Sequence, residues 1–224
     1  FPKNTEMSEV ALLVEGIKFC REHIIPQNES FLKGYVFISI NQWNMEQERV
    51  VLLTDKAIYR VKYDFETKNI QRHESTKLTD ITHIHRGVLE YPQYAFLSKM
   101  AQGVDERIYG CRIYSKEGSA NGVNIDGQAV GKRSIWNPFQ KHQSFRTFKA
   151  LDSFDAQQGR DVTLEFTNLL FDSIRRADPE SAVYKVESPI NRSNVLGLVS
   201  VGANKAKMGS FKKVSATSQV EPTE

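Results

Sequence analysis

The sequence predicts an α+β fold in which a meander of antiparallel strands is bracketed by helices. Three observations carry that prediction. Apolar residues near the N-terminus recur at helical spacing, short apolar runs with period two follow at hairpin spacing, and a second clear helical stripe comes only after residue 160. With 224 residues and 40% apolar content, the chain can bury one sizeable core. A single domain over residues 6–213 is expected, with 214–224 as a disordered tail.

The first element is a helix over 6–21. Val10, Leu13, Val14 and Ile17 form its apolar stripe, Thr5 is a candidate N-cap, and Pro26 lies beyond its end. Strand-forming runs then occupy Gly34 to Asn41, Arg49 to Leu53, Ala57 to Tyr63, Ile70 to Leu78 and Asp80 to Arg86. Turn chemistry at Thr54-Asp55-Lys56 and at Asp64 to Lys68 separates them. In the third run Ile58, Arg60 and Lys62 alternate with Ala57, Tyr59, Val61 and Tyr63, which predicts one buried and one wet face. An irregular passage is expected after Gly87. The alternation resumes over Arg107 to Ser115, the glycine-rich stretch Gly118 to Gly131 reads as a solvent loop, and Ser144 to Leu151 reads as a last strand. A helix over 161–176 follows, with Asp161 as its cap and Val162, Phe166, Leu169, Leu170 and Ile174 as its stripe. Strands in series and then a helix able to pack across an open end have the order of a pleckstrin-homology-like sheet or barrel.

The charge is unevenly placed. The net +3 arises from Ser188 to Val214, which carries Arg192, Lys205, Lys207, Lys212 and Lys213 and no acidic residue. A basic C-terminal helix over 194–208 is expected, capped by Ser193 or Asn194 and stopped by Gly209, with Val195, Leu198, Val199 and Gly202 on one stripe. Two readings fit it. The helix can lie on the domain core with its lysines solvated, or it can bind an anionic membrane or acidic partner through those five cations. The first hairpin, Asn41 to Arg49, offers two acids and one Arg, so the tail is the expected site for anionic lipid and a phosphate pocket at the hairpin is not. Calmodulin is a further possible partner for a basic amphipathic segment of this kind. Ser210, Ser215 and Thr217 lie beside the lysines, where phosphorylation would weaken anionic binding.

Signatures of chemistry are weak. Cys20 and Cys111 lack the Arg six residues on that a cysteine phosphatase loop needs, having Pro26 and Glu117 there, and they form no metal or disulfide pattern. Gly127 to Ser134 resembles a nucleotide loop but is one residue short between its glycines. His83 and His85 share a strand face, yet no third ligand stands at readable spacing, and two ordinary strand histidines are the simpler reading. Asp152, Asp155 and Asp161 match no calcium loop and read as a helix-capping acidic turn. No enzyme, cofactor or metal site is expected, and no nucleic-acid partner. The N-terminus lacks the apolar run of a signal peptide and no segment is long enough to span a bilayer, so a cytoplasmic protein is expected.

Four ordered segments carry a resemblance: Arg49-Val-Val-Leu-Leu-Thr-Asp55, Tyr63-Asp-Phe65, Ile135-Trp-Asn-Pro138, and Leu196-Gly-Leu198 to Asn204-Lys-Ala-Lys-Met-Gly209. In this order they resemble the tumour protein p63-regulated gene product family, the Mover-like proteins. Its Sac-two homology domain is also found in a Sac-type inositol phosphatase. The resemblance implies a non-catalytic, pleckstrin-homology-like adaptor that self-associates as a homodimer. It further implies peripheral attachment to synaptic or cytoplasmic vesicles, or to presynaptic scaffold proteins, and modulation of synaptic transmission. The alternative it leaves open is a phosphoinositide-metabolism accessory or a degenerate relative of inositol phosphatases.

Overall fold

The computed structural model describes residues 8–41, 45–90, 108–116 and 145–191, and the backbone of 121–124. The chain opens with α1 (Glu9–Ile24), followed by β1 (Phe31–Ile40), β2 (Glu46–Thr54), β3 (Ala57–Asp64), β4 (Asn69–Lys77), a 3-10 turn at Leu78–Asp80 and β5 (Ile81–Glu90). Next come β6 (Tyr109–Ser115), β7 (Asn121–Asn124), β8 (Phe145–Lys149), α2 (Ala156–Ala177), β9 (Tyr184–Glu187) and β10 (Ile190–Asn191). The α+β expectation is borne out: the described residues are mostly β-sheet with two helices packed on it. The strands form one sheet in the order β10-β5-β6-β8-β1-β2-β3-β4-β7, with β9 also on β5. Pairing is antiparallel except for β9 and β10, which run parallel to β5.

The long strand β1 organises the sheet, pairing with β2 on one side and β8 on the other. Its alternate residues feed two different cores. Tyr35 and Phe37 join Val51, Leu53, Ile58, Ile84 and Phe148 under α2, while Val36 and Ile38 join Val50, Leu52, Tyr59 and Val61 under α1. The sheet is therefore clad on both faces, in a sandwich-like arrangement.

Helix α1 begins at Ser8, whose Oγ accepts from the Ala11 N–H at 3.2 Å, and Thr5 lies outside the described residues. Its buried stripe is Leu12, Gly16 and Cys20, whereas Val10 and Val14 of the expected stripe face solvent at 68% and 59% exposure. The reason is contact with the sheet's aromatic residues. A Cβ on Gly16 would come within 2.6 Å of the Phe65 ring and 3.1 Å of Tyr63, so the helix turns its one bare position toward those rings.

Helix α2 starts at Ala156, five residues before its expected start. Its cap is Asp155, which accepts from Gln158 N while the Gln158 side chain accepts from Asp155 N. The expected cap, Asp161, instead accepts from Gln157 within the first turns. Phe166, Leu170 and Ile174 are buried as the stripe predicts, joined by Thr163, Thr167 and Ser173. Those hydroxyls donate to the carbonyls four residues back at 2.7–2.8 Å, which is how polar side chains enter this core.

Two expectations about the sheet need correction. Strand β5 continues through Gly87 to Glu90 where an irregular passage was expected, because β6 pairs with it as far as Val88 and β10 runs beside Leu89 and Glu90. A Cβ at Gly87 would lie 2.0 Å from the Ser188 carbonyl oxygen. Within the expected loop of 118–131, Asn121–Asn124 adds an edge strand to β4. Strands β9 and β10 carry too few residues to show a period. The expected C-terminal helix over 194–208 and tail over 214–224 lie outside the described residues.

Candidate functional site

On neighbouring strands the same face changes character at the same level. On β1 it passes from Tyr35 and Phe37 to Ser39; on β2 from Leu53 and Val51 to Arg49 and Gln47; on β3 from Ile58 to Arg60 and Lys62. Registry aligns these steps, with Phe37 opposite Arg49, Val51 opposite Arg60, Arg60 opposite Glu74 and Lys62 opposite Arg72. Strand β8 follows suit, from Phe148 in the core to Arg146. Where the apolar core under α2 stops, a polar cavity of about 360 Å³ begins, lined by Arg49, Arg60, Lys62, Arg72 and Glu74 with Gln47 and Gln71 at its sides.

One carboxylate holds three of the arginines. Glu74 Oε2 accepts from Arg60 Nη2 at 2.7 Å and from Arg146 Nη2 at 3.4 Å, and its Oε1 accepts from Arg72 Nη2 at 2.7 Å. Burial acts to raise the Glu74 pKa, but the charges of Arg60, Arg146 and Arg72 outweigh it and hold the carboxyl below its usual range. Arg60 also donates to Ser39 Oγ at 3.1 Å. Arg49 donates to the Glu48 carbonyl oxygen and the Gln47 side-chain oxygen, while the Glu74 and Glu48 carboxylates act on it as nearby charges. Burial, reinforced by Arg60 and Arg72, pushes the Arg49 guanidinium pKa down to about 10. Five cations around one carboxylate leave a partly enclosed site with surplus positive charge. Such a site suits an anion that accepts several charge-assisted hydrogen bonds, as a phosphate group does.

Sequence reasoning sought anion recognition elsewhere. Arg192, Lys205, Lys207, Lys212 and Lys213 lie outside the described residues. The first hairpin was discounted on its own composition, yet Arg49 at its end is joined by cations from β3, β4 and β8 that only pairing brings together. The available signal was the same-face spacing of Arg60 with Lys62 and of Arg72 with Glu74. Arg60 and Lys62 do lie on the wet face predicted for β3, but that face continues the core under α2, whereas Tyr59 and Val61 are covered by α1.

The remaining candidates have structural partners. His83 stacks on Tyr114 with ring centroids 3.9 Å apart and on Tyr184 at 5.0 Å, and His85 Nε2 lies 2.9 Å from Ser188 Oγ. Burial lowers both pKa values, with each histidine further depressed by a neighbouring charge, His85 for His83 and Arg112 for His85. No group of three metal-ligating side chains occurs among the described residues. Cys20 and Cys111 are buried free thiols, and burial pushes both up to about 12. Asp152 pairs with Lys149 and Asp155 caps α2. No helix among the described residues is long and apolar enough to cross a membrane.

Comparison with known proteins bears out the resemblance read from the sequence. The hSac2 family model, described as an inositol phosphatase, matches residues 4–114. The human tumor protein p63-regulated gene 1 protein is 25% identical over 127 residues, which is 56% of this chain and 40% of that relative's length. The solved hSac2 domain from human phosphoinositide phosphatase Sac2 superposes with a TM-score of 0.51 at 16% identity, covering 82% of this chain and 92% of that domain. That superposition shows a shared fold. An alignment with the DH/PH domains of PDZ-RhoGEF bound to RhoA, at 11% identity over 76% of this chain and 40% of the other, has a TM-score of 0.33 and carries no argument.

Proposed function

We propose that this Sac-two-like chain is a non-catalytic adaptor that attaches peripherally to membranes by recognising phosphate-bearing headgroups in the cavity between β2, β3, β4 and β8. The gathering of Arg60, Arg72 and Arg146 on a single carboxylate, in a cavity that Arg49 and Lys62 also line, carries the reading. Matches to a model described as an inositol phosphatase and to a domain of a phosphoinositide phosphatase support a phosphoinositide-related ligand. A pleckstrin-homology-like reading of the fold is supported by the β1–β4 meander, the return of β8 onto β1, and a helix packed on the side of the sheet away from α1. Buried, high-pKa thiols favour a binding role over nucleophilic chemistry.

In this reading the basic residues Arg192, Lys205, Lys207, Lys212 and Lys213 add a second, nonspecific contact with anionic lipid. Self-association, a vesicle or presynaptic location and a modulatory role in exocytosis are proposed from the family resemblance. A phosphoinositide-metabolism accessory role would use the same cavity, and phosphate release from phosphoinositide by the purified chain would favour it. The deciding experiment is flotation on phosphatidylcholine vesicles with and without a phosphoinositide. Arg49→Gln with Arg60→Gln is expected to weaken phosphoinositide-dependent binding by about 2–3 kcal/mol, the scale of charged hydrogen bonds. Unchanged binding by the double variant would sink the cavity as the headgroup site.

A further inference from the structure

We propose that Glu74 is an internal competitor for this cavity: its carboxylate occupies the place of one ligand phosphate, and the ligand that displaces it carries at least two phosphate groups. The inference rests on the anion-binding reading of the cavity. Its geometry is that of a bound ligand, because Oε1 accepts from one guanidinium and Oε2 from two others, the donors a phosphate would take. The Glu74 side chain is only 12% exposed and sits on β4, facing Arg60 across the strand pair.

The cations fall into two sets. Arg60, Arg72 and Arg146 are gathered on Glu74, while Arg49 donates to the Glu48 carbonyl and the Gln47 side chain and feels Glu74 only as a nearby charge, and Lys62 is exposed. A single phosphate has two poor options. Beside Arg49 and Lys62 it would face the Glu74 carboxylate; in place of Glu74 it would exchange one anion for another on the same three arginines. A ligand with two phosphate groups engages both sets at once, so new contacts at Arg49 and Lys62 offset the displacement of Glu74. Either a polyphosphorylated inositol headgroup in a membrane or a soluble polyphosphate has this chemistry.

The test is calorimetric titration of wild type and Glu74→Gln with inorganic phosphate and with pyrophosphate, with folding followed by thermal melting. Wild type is expected to bind pyrophosphate more tightly than phosphate, and Glu74→Gln to tighten both by about tenfold, as removing one nearby like charge implies. Should Glu74→Gln not fold, Glu74→Asp, which draws the charge back by one methylene, replaces it with tightening still expected. Pyrophosphate binding by wild type that is unchanged or weakened in the variant overturns the competitor role and leaves the anion site standing. No pyrophosphate binding by either protein overturns both. Flotation on vesicles with phosphatidylinositol bisphosphate then separates the sources: a gain there assigns a lipid headgroup, and a gain confined to pyrophosphate assigns a soluble polyphosphate.

Discussion

Two buried charges show how differently this sheet uses ionic groups. Glu74 is outnumbered by cations, whereas Lys149 is outnumbered by carboxylates. Lys149 is only 6% exposed, and its Nζ lies 2.9 Å from Glu46 Oε2 and 2.8 Å from Asp152 Oδ1. Burial pulls its pKa down, but Glu46 and Asp152 more than offset that and hold it above the ordinary lysine value of 10.5. Nothing about the cluster suggests a ligand, since the two acids leave no surplus cation; it locks the end of β8 to β2 and to the turn before α2. Lys149→Met is expected to cost about 3 kcal/mol at neutral pH, because it removes the buried cation that Glu46 and Asp152 share. A pKa raised on folding stabilises the native state below the unfolded value and ceases to do so as pH rises through the folded value. The gap between wild type and variant should therefore be constant through neutral pH and close above about pH 10.5. Urea melts across that range check it, and a gap that persists into strong alkali would mean packing rather than charge is lost.

At the scale of elements, legibility followed how much of each element's stabilisation is local. Strands β1 to β5 announce themselves because each is a short β-rich run bounded by turn residues, which local sequence records. Helix α2 was found but begun late, since Gly159, Thr163 and Thr167 interrupt the apolar stripe and their burial depends on backbone hydrogen bonds that composition does not reveal. The Asp155 and Gln158 pair was the local signal that would have corrected it. Asp155→Ala removes the cap and one arm of its reciprocal box, and an unfolding cost of about 1 kcal/mol is expected. Hydrogen exchange of the amides at 156–158 should accelerate while that of Phe166 and Leu170 holds, and a uniform acceleration would show that the cap governs the whole helix. Strands β9 and β10 were not legible at all. They exist through pairing with a partner about 100 residues away in sequence, and the bare Gly87 that lets Ser188 pass is an ordinary glycine until the crossing is known. The cavity belongs to the same class: each strand shows its own charged positions, but only registry converts them into one site.

For the whole molecule, the consequence is two basic regions of different kinds. The cavity holds fixed, partly buried guanidinium groups and is suited to recognising particular phosphates. The stretch with Lys205, Lys207, Lys212 and Lys213 carries a run of basic residues in sequence, which in the proposed reading adds anionic-lipid contact without selectivity. If both contact one membrane, their contributions multiply as an effective concentration, and each weak site is useful only beside the other. The two should separate by salt. In the proposed reading, changing all four lysines to Gln is expected to lower vesicle binding and flatten its dependence on ionic strength, since contact through solvated charge is screened by salt. Arg49→Gln with Arg60→Gln should instead remove the preference for phosphoinositide while leaving the salt dependence steep. The proposed self-association would sharpen the contrast, because a homodimer would present two cavities to one surface. Flotation of the four-lysine variant over a range of protein concentrations, alongside light scattering of the same samples, tests this: binding should fall steeply as the protein is diluted into monomer. Binding that tracks total protein linearly, or a chain monomeric at every concentration, would leave the cavity and the lysines acting within one copy, and the avidity argument would then rest on those two sites alone.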